Sequence, residues 1–171
     1  ISDSYYLTIS DRSNIIDQLP KAASCTPNST SPGFNIGIYN VNLDSINHNS
    51  LSAQIESYRN FTNIKTYLHD DNESFLTVQT GPDYEERVLA WIDFNNNGVF
   101  EGSEQIMNSY NSLPNRLHIN KFSIPLNAIK HTPLRLRVGS DISDINSALN
   151  TFKGPCNNSR FGQIEDYTII I

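Results

Sequence analysis

The sequence predicts an all-β fold, an antiparallel β-sandwich of jelly-roll type that forms one domain. Short runs rich in β-branched and aromatic residues recur along the chain, and several of them alternate apolar with polar residues. Clusters of Gly, Pro, Asn, Asp and Ser separate these runs and predict turns, for example at residues 26–33, 80–83 and 139–141. The 171 residues, 37% of them hydrophobic, suffice for one core. Seven or more strands in one domain favour a sandwich.

The individual elements follow from the same patterns. The predicted strands are residues 5–10, 37–43, 74–79, 87–92, 117–124, 134–138 and 167–171. Residues 13–21 and 125–129 are the most helix-like stretches, and each is predicted to form one or two turns. Trp91, at the end of an apolar run, is assigned to the core.

Charge and hydropathy exclude two classes of partner. The formal net charge is −6 and the 12 Lys and Arg residues are scattered, whereas nucleic-acid-binding proteins concentrate positive charge on one face. No stretch approaches the roughly 18 to 20 apolar residues that cross a bilayer, so no transmembrane segment is predicted. The chain starts at Ile1 without an initiating Met or a leader, which indicates a mature segment, a monomeric domain of a larger protein.

The two cysteines, Cys25 and Cys156, lack the Cys or His spacing of a zinc site. Neighbouring prolines place both in loops, where a disulfide between them is the simplest interpretation. The alternative is two buried free thiols in a cytosolic protein. A disulfide would favour an exported protein, either secreted or at the cell surface.

The stretch WIDFNNNGVFEGSE, residues 91–104, has the spacing of a calcium loop. Its ligand positions 1, 3, 5, 7, 9 and 12 are Asp93, Asn95, Asn97, Val99, Glu101 and Glu104. Ca²⁺ takes about 6 to 8 oxygen ligands, and such a loop supplies them from carboxylates, amides, the backbone carbonyl at position 7 and a bidentate Glu at position 12. Gly98 at position 6 permits the sharp turn. We therefore predict a Ca²⁺ site.

Three features qualify this prediction. The residues before Asp93 have the pattern of a strand, so we expect a structural site with roughly micromolar to millimolar affinity. Mg²⁺ fits less well, because it needs tight octahedral geometry and retains water. The alternative is a hairpin turn at Asn97-Gly98, which explains the glycine but leaves Asp93 and Glu104 unexplained.

Several segments, taken in order, resemble the GEVED domain, a module of secreted bacterial proteins. They are the loop at 91–104, FSIP at 122–125, LRLRV at 134–138 and GPCNNSRFGQIEDYTI at 154–169, with weaker similarity upstream at 25–27, 37–43 and 58–62. The resemblance spans residues 25–171 and leaves 1–24 as an N-terminal extension or added strand. It implies a β-sandwich attached to peptidases, other hydrolases or adhesive modules, with no established catalytic role. In the naming motif Gln163 stands where the family has Glu, while Glu165 and Asp166 match.

The closing motif contains two carboxylates that are candidates to support the site. Adjacent strand residues face opposite sides, so Glu165 and Asp166 do not enter one site together. Either of them is a candidate to reach the calcium loop or an arginine. Arg135 and Arg137 share one face of their strand and are the candidate partners of such a carboxylate. Of the two, Arg137 is the candidate to support the calcium site. The alternative is that both arginines are solvated.

Catalysis has little support, because the four histidines occur in no paired metal spacing and no nucleophile elbow or phosphate loop is present. Two functions remain. The first is a calcium-stabilised binding or adhesion module that presents exposed tyrosines to a glycan or to an extracellular or surface protein. The candidate tyrosines, each of which has core packing as its alternative role, are Tyr39, Tyr58, Tyr84 and Tyr110. The second is a structural accessory or spacer domain of an exported peptidase or other hydrolase.

Overall fold

A computed structural model describes residues 18–50, 57–110, 117–143 and 152–171. The strands, in chain order, are β1 (Ile38–Leu43), β2 (Ile46–Asn49), β3 (Tyr58–Tyr67), β4 (Ser74–Thr80), β5 (Glu86–Ile92), β6 (Gln105–Tyr110), β7 (Leu117–Phe122), β8 (Pro133–Ile142) and β9 (Gln163–Ile170), with one short 3₁₀ helix at Gly102–Glu104 before β6. The predicted strand at 5–10 and most of the helix-like stretch at 13–21 lie outside the described residues. No helix in the described ranges is long and apolar enough to cross a membrane.

The strands form two sheets, which confirms the predicted all-β sandwich. One sheet has four strands in the order β2-β1-β4-β7, and the other has five in the order β3-β9-β8-β5-β6. All pairs are antiparallel except β3 and β9, which run parallel. A parallel pair needs a long crossover, and here the chain passes through β4 to β8 between its two members.

The main core lies between the two sheets and follows the alternation of the strands. On β5 the inward residues are Val88, Ala90 and Ile92, and β8 contributes Leu134 and its alternate neighbours, all of them fully buried. Strand β2 was not predicted because only one of its four residues is buried, and β3 because only two of its ten are. Weak amphipathicity of this kind leaves little periodic signal in a sequence.

A second, smaller core covers the opposite face of the five-stranded sheet. It consists of Leu89, Trp91, Phe100, Phe152 and Ile164, so the assignment of Trp91 to a core is correct. Because both faces of this sheet are covered, all eight residues of β9 and nine of the ten residues of β8 are buried. Continuous burial of this kind is typical of a strand at the centre of a sandwich covered on both sides.

One predicted turn is wrong. Residues 139–141 were expected to end a strand, but β8 continues through them to Ile142. Gly139 is needed there for packing, since a Cβ at this position would lie 2.3 Å from the Phe152 ring. The glycine therefore marks a close approach of side chain to backbone, and it does not mark a bend.

Candidate metal centre

The segment 93–104, called the acidic loop below, leaves the end of β5 and returns through the 3₁₀ helix to β6. Its first residue, Asp93, is 1% exposed. The Asp93 carboxylate accepts the backbone N–H groups of Asn97 at 3.0 Å and Gly98 at 2.8 Å, which closes the turn. Gly98 has φ +86°, and a Cβ there would lie 2.7 Å from the Ala22 carbonyl oxygen. Glycine is required at this position by both conformation and space.

The other end of the acidic loop is closed by Glu104, which is 4% exposed. Its carboxylate accepts the backbone N–H of Asn95 at 3.3 Å and that of Glu101 at 3.0 Å. Glu101 is the N-cap of the 3₁₀ helix, and together with Glu104 it forms a capping box. The carboxylates at positions 1 and 12 therefore both turn inward and hold the backbone between them.

The remaining predicted ligands are joined by hydrogen bonds within the acidic loop. The side-chain oxygens of Asn95 and Asn97 accept backbone N–H groups within the loop at 2.9 and 2.6 Å. Their amide nitrogens donate to the Glu101 carboxylate at 3.2 and 2.7 Å. The Val99 side chain is 45% exposed, so this residue has only its backbone carbonyl to offer. The structure thus brings all six predicted positions into one loop.

Among the described residues, no basic side chain forms an ion pair with a carboxylate of the acidic loop. None of the ion pairs among the described residues includes Asp93, Glu101 or Glu104. Burial raises the pKa of Glu104 to about 7, and its hydrogen bond with the Glu101 side chain adds to the shift. The same hydrogen bond lowers the pKa of Glu101. The opposite shifts of the two pKa values show that the two carboxyl groups are close enough to interact, and a bound cation would favour the charged form of both.

The donor set fits a hard cation of the calcium type. Within the described ranges, no group of three or more His, Cys, Asp or Glu side chains is placed to hold a metal on its own. An ion in this loop would therefore also depend on the amide oxygens of Asn95 and Asn97 and on the carbonyl of Val99. Carboxylate, amide and carbonyl oxygens are the ligands that Ca²⁺ accepts.

Asp166 and the two arginines form a second buried centre, on the outer face of the five-stranded sheet. The Arg137 guanidinium binds the Asp166 carboxylate with two bonds, of 2.7 and 2.8 Å. Arg135 adds a third bond of 3.0 Å, and the Tyr58 hydroxyl donates a fourth of 2.8 Å. Arg137 and Asp166 are fully buried. Burial, followed by the charge of Asp166, raises the pKa of Tyr58 to about 12. We call these four residues the arginine cluster.

Arg137 connects the arginine cluster to the disulfide and to the acidic loop. Cys25 and Cys156 are bonded, which confirms the predicted pairing. Arg137 donates to the backbone carbonyl of Pro155 at 2.9 Å and to that of Cys25 at 3.2 Å. The Phe100 ring of the acidic loop lies 4.8 Å from its guanidinium. One buried side chain therefore contacts three separate segments of the chain.

The segment before Cys25 also packs on this side of the molecule. The N–H of Ser24 donates to the Gly98 carbonyl at 2.7 Å, and Arg135 donates to the carbonyl of Lys21 at 3.0 Å. Residues 21–24 thus lie over the acidic loop and the arginine cluster. The predicted boundary between residues 24 and 25 stays a prediction.

Glu165 faces the opposite side of β9, toward the core between the sheets. It is fully buried and accepts the Tyr167 hydroxyl at 2.6 Å, while His48 Nδ1 lies 2.8 Å from the same hydroxyl oxygen. Burial raises the pKa of Glu165 to about 7. The alternation of the strand separates the two carboxylates, and Asp166 is the one that reaches the arginines.

Glu165 is expected to make stability depend on pH. Its pKa is higher in the folded protein than its ordinary value of 4.5, so the folded state binds more protons and stability falls as pH rises from about 4.5 to 7. The slope from one such group is at most about 1.4 kcal/mol per pH unit. Glu165→Gln removes it, so the wild type should lose stability relative to the variant between pH 5 and pH 7.5 in urea unfolding. A constant difference across this range would contradict the assignment.

Asp141 is a structural carboxylate that the sequence patterns did not single out. It accepts the backbone N–H groups of Arg160, Phe161 and Gly162 at 2.6, 3.0 and 3.2 Å, and so holds the turn that leads into β9. A Cβ at Gly162 would lie 1.9 Å from the Ser140 carbonyl oxygen. The glycine of the closing motif is therefore required for close packing against β8.

These features define a class of protein, an all-β sandwich with an acidic loop after one strand and a disulfide between distant loops. Residues 87–170 match the model of the GEVED domain, so this part of the chain belongs to that family. The GEVED domain is a small module of extracellular type, and the disulfide is compatible with that environment. The match includes the acidic loop, β8 and β9, while the weaker similarity at 25–62 lies outside it. No curated protein and no solved structure matches the chain.

Proposed function

We propose that this domain is a calcium-stabilised, non-catalytic binding or adhesion module of a larger secreted or surface protein. Membership in a family of extracellular-type modules supports this general role. The observation that carries the calcium proposal is the geometry of the acidic loop, where two buried carboxylates accept backbone N–H groups at the two ends of one turn and neither forms an ion pair among the described residues.

The residues that would hold Ca²⁺ are Asp93, Asn95, Asn97, Glu101 and Glu104, with the carbonyl of Val99. When bound, the ion would neutralise the carboxylates and cross-link the end of β5 to the start of β6. Asp93 and Glu104 already order the backbone through four N–H bonds. Ordering of the loop would also fix the position of Phe100, whose ring packs on the Arg137 guanidinium. We infer that the ion has a structural role, which is to stabilise the connection between β5 and β6.

The proposal predicts a calcium-dependent melting temperature. A ligand that binds only the folded state adds about 2.7 kcal/mol at one hundred times its Kd, which raises the melting temperature of a domain of this size by several degrees. The measurement is thermal unfolding in EGTA and in a Ca²⁺ series, with Mg²⁺ for comparison. We expect a dose-dependent rise with Ca²⁺ and a smaller one with Mg²⁺.

Variants test whether the calcium-dependent rise in melting temperature comes from binding at the acidic loop. Asp93→Ala and Glu104→Gln should each abolish it, because each removes a buried carboxylate at one end of the loop. Glu85→Gln is the matched control, since Glu85 is an exposed carboxylate in the turn before β5 and should leave the rise unchanged. A calcium response that survives either loop substitution would contradict the ligand set.

The alternative function, a structural accessory or spacer domain of an exported peptidase or other hydrolase, predicts the same calcium response. The two differ on the surface, because a spacer does not need exposed aromatic side chains near a cavity. Tyr58 is committed to Asp166, whereas Tyr84 and Tyr110 are 42% and 48% exposed. Exposed Tyr67 and Phe75 beside a cavity favour the binding module.

A further inference from the structure

We propose that the outer face of the four-stranded sheet, together with the cavity at its end, binds a neutral glycan. This inference rests on the proposed function as a binding module and names its ligand class. The face consists of side chains that point away from the core on β2, β1, β4 and β7. Its polar members, called the amide face below, are Asn40, Asn42, Asn47, Asn49, Thr77 and Gln79.

Strand pairing assembles the amide face into a continuous array. Asn40 is paired with Asn49 across β2 and with Gln79 across β4, and Asn42 is paired with Asn47 and with Thr77. Paired residues have Cβ atoms about 4.5–5.5 Å apart, so these side chains form two adjacent rows across three strands. The spacing allows neighbouring hydroxyl groups of one ligand to contact successive side chains.

Hydrogen bonds within the amide face hold its side chains in position. The Asn40 amide nitrogen donates to the side-chain oxygens of Asn47 and Asn49, both at 2.9 Å. Those bonds use side-chain oxygens of two exposed asparagines as acceptors. Amides carry both donors and acceptors, as sugar hydroxyls do. Preformed orientation of this kind lowers the entropic cost of binding.

Charge on this face selects against ionic ligands. Among the outward positions of the four strands, Lys121 is the single ionised side chain, and it pairs with Glu73 at 2.8 Å. The whole chain, in contrast, has a net charge of −6. The adjoining cavity adds the carboxylates of Asp44 and Glu73, of which Glu73 is paired with Lys121, so the combined surface disfavours a polyanion and offers carboxylate acceptors to hydroxyl groups. A neutral, hydroxyl-rich ligand is the chemistry that remains.

A cavity of about 350 Å³ lies at the end of the amide face and provides stacking surfaces. Phe75 and Tyr67 line it and are 56% and 46% exposed. Asn42 and Phe75 belong to both the sheet face and the cavity wall, so the two form one continuous surface. Aromatic faces pack against the C–H face of a sugar ring, and the volume is in the range of small-molecule sites.

The site is separate from the acidic loop in the fold. The amide face is on the four-stranded sheet, whereas the acidic loop joins β5 to β6 of the other sheet. Calcium would therefore stabilise the domain without touching this ligand. The two proposals can fail independently.

The test is affinity electrophoresis of the 171-residue chain, disulfide intact and in Ca²⁺, through gels with soluble polysaccharides. The neutral probes are a β-glucan, a mannan, a xylan and a galactomannan, and the acidic probes are polygalacturonate and alginate. We expect at least one neutral polysaccharide to retard the protein and both acidic ones to leave its mobility unchanged. Retardation by acidic probes alone, or by none, would overturn the proposal.

Substitutions locate the binding. Phe75→Ala and Asn42→Ala should each weaken binding about tenfold or more, because one removes the stacking surface and the other an amide at the cavity wall. Phe34→Ala is the matched control, since Phe34 is an exposed phenylalanine before the start of β1, at the end of that strand away from the cavity. Its affinity should equal that of the wild type, and the melting temperatures of all three variants show that each is folded. Neutral-glycan binding that survives Phe75→Ala in a folded variant would overturn the assignment.

Two further readouts separate the competing occupants. Size-exclusion chromatography tests a second copy of the chain, because Leu117 and Ile119 beside the amide face are 50% and 60% exposed. A dimer that Phe75→Ala dissociates would overturn the glycan proposal in favour of self-association. Polysaccharide binding without a calcium-dependent melting shift would support this site and reject the calcium proposal. A calcium-dependent rise in melting temperature without polysaccharide binding would support the calcium proposal and reject the glycan site.

Discussion

Arg137→Ala is expected to destabilise the folded domain by about 3–5 kcal/mol, the cost of breaking a buried ion pair at one partner. The side chain is fully buried and makes two charged bonds to Asp166. Its removal leaves the Asp166 carboxylate in the interior with Arg135 and Tyr58 as partners. It also withdraws the donors to the Pro155 and Cys25 carbonyls and leaves a cavity beside Phe100.

Urea unfolding at constant calcium measures this effect. Lys130→Ala is the matched control, because Lys130 forms an ion pair with Asp70 in which both side chains are 46% exposed. Exposed pairs contribute about 0–1 kcal/mol, so the control should lose little. Asp166→Asn keeps the shape but leaves the fully buried Arg137 guanidinium without an anionic partner, so its loss should also clearly exceed that of the control. If Arg137→Ala lowers the free energy of unfolding as little as Lys130→Ala does, the arginine cluster does not stabilise the fold.

Removal of the disulfide is expected to lower the free energy of unfolding by about 4–5 kcal/mol, because it frees a long loop in the unfolded chain. Cys25 and Cys156 are 131 positions apart, so their bond links nearly the whole described sequence. The Cys25→Ser/Cys156→Ser double variant tests this without a reducing agent. Arg137 contacts the backbone on both sides of the disulfide, so the folded geometry should persist in the variant.

The measurement is the urea midpoint and slope of the variant against the oxidised wild type. An unchanged midpoint would show that the disulfide adds nothing, and a changed slope would indicate a more expanded unfolded state. Thiol titration of the unfolded, non-reduced wild type should find no free thiol. The comparison also tests whether the arginine cluster alone suffices to hold the two loops together.

These two expected effects concern the same side of the molecule. Phe100 and Gly98 of the acidic loop contact Arg137 and Ser24, respectively. If calcium orders the acidic loop, these contacts should also stabilise the arginine cluster. The calcium-dependent shift would then be smaller in Arg137→Ala, because ordering of the loop no longer supports a packed neighbour.

Local patterns were sufficient to predict most of the strands and the position of the acidic loop between two of them, while the calcium site in that loop stays a prediction. The loop is contained in twelve consecutive residues, so its spacing is visible without knowledge of the fold. Alternation along β8 separated Leu134 and Leu136 from Arg135 and Arg137, because a strand has a period of two. The parallel pairing of β3 with β9 was not predictable in this way, since it depends on strands about one hundred residues apart.

Taken alone, the sequence determined the all-β class, the acidic loop, the facing of Glu165 and Asp166 to opposite sides, and the candidate disulfide, because each depends on short-range spacing or residue type. The tertiary structure decided which carboxylate meets the arginines, since the register of β8 against β9 places Arg137 beside Asp166. It also assembled asparagines of β1 and β2 with Thr77 and Gln79 of β4 into one face. In the sequence those amides are ordinary polar residues, and only the pairing of separate strands, which is set by burial of their opposite faces, makes them neighbours.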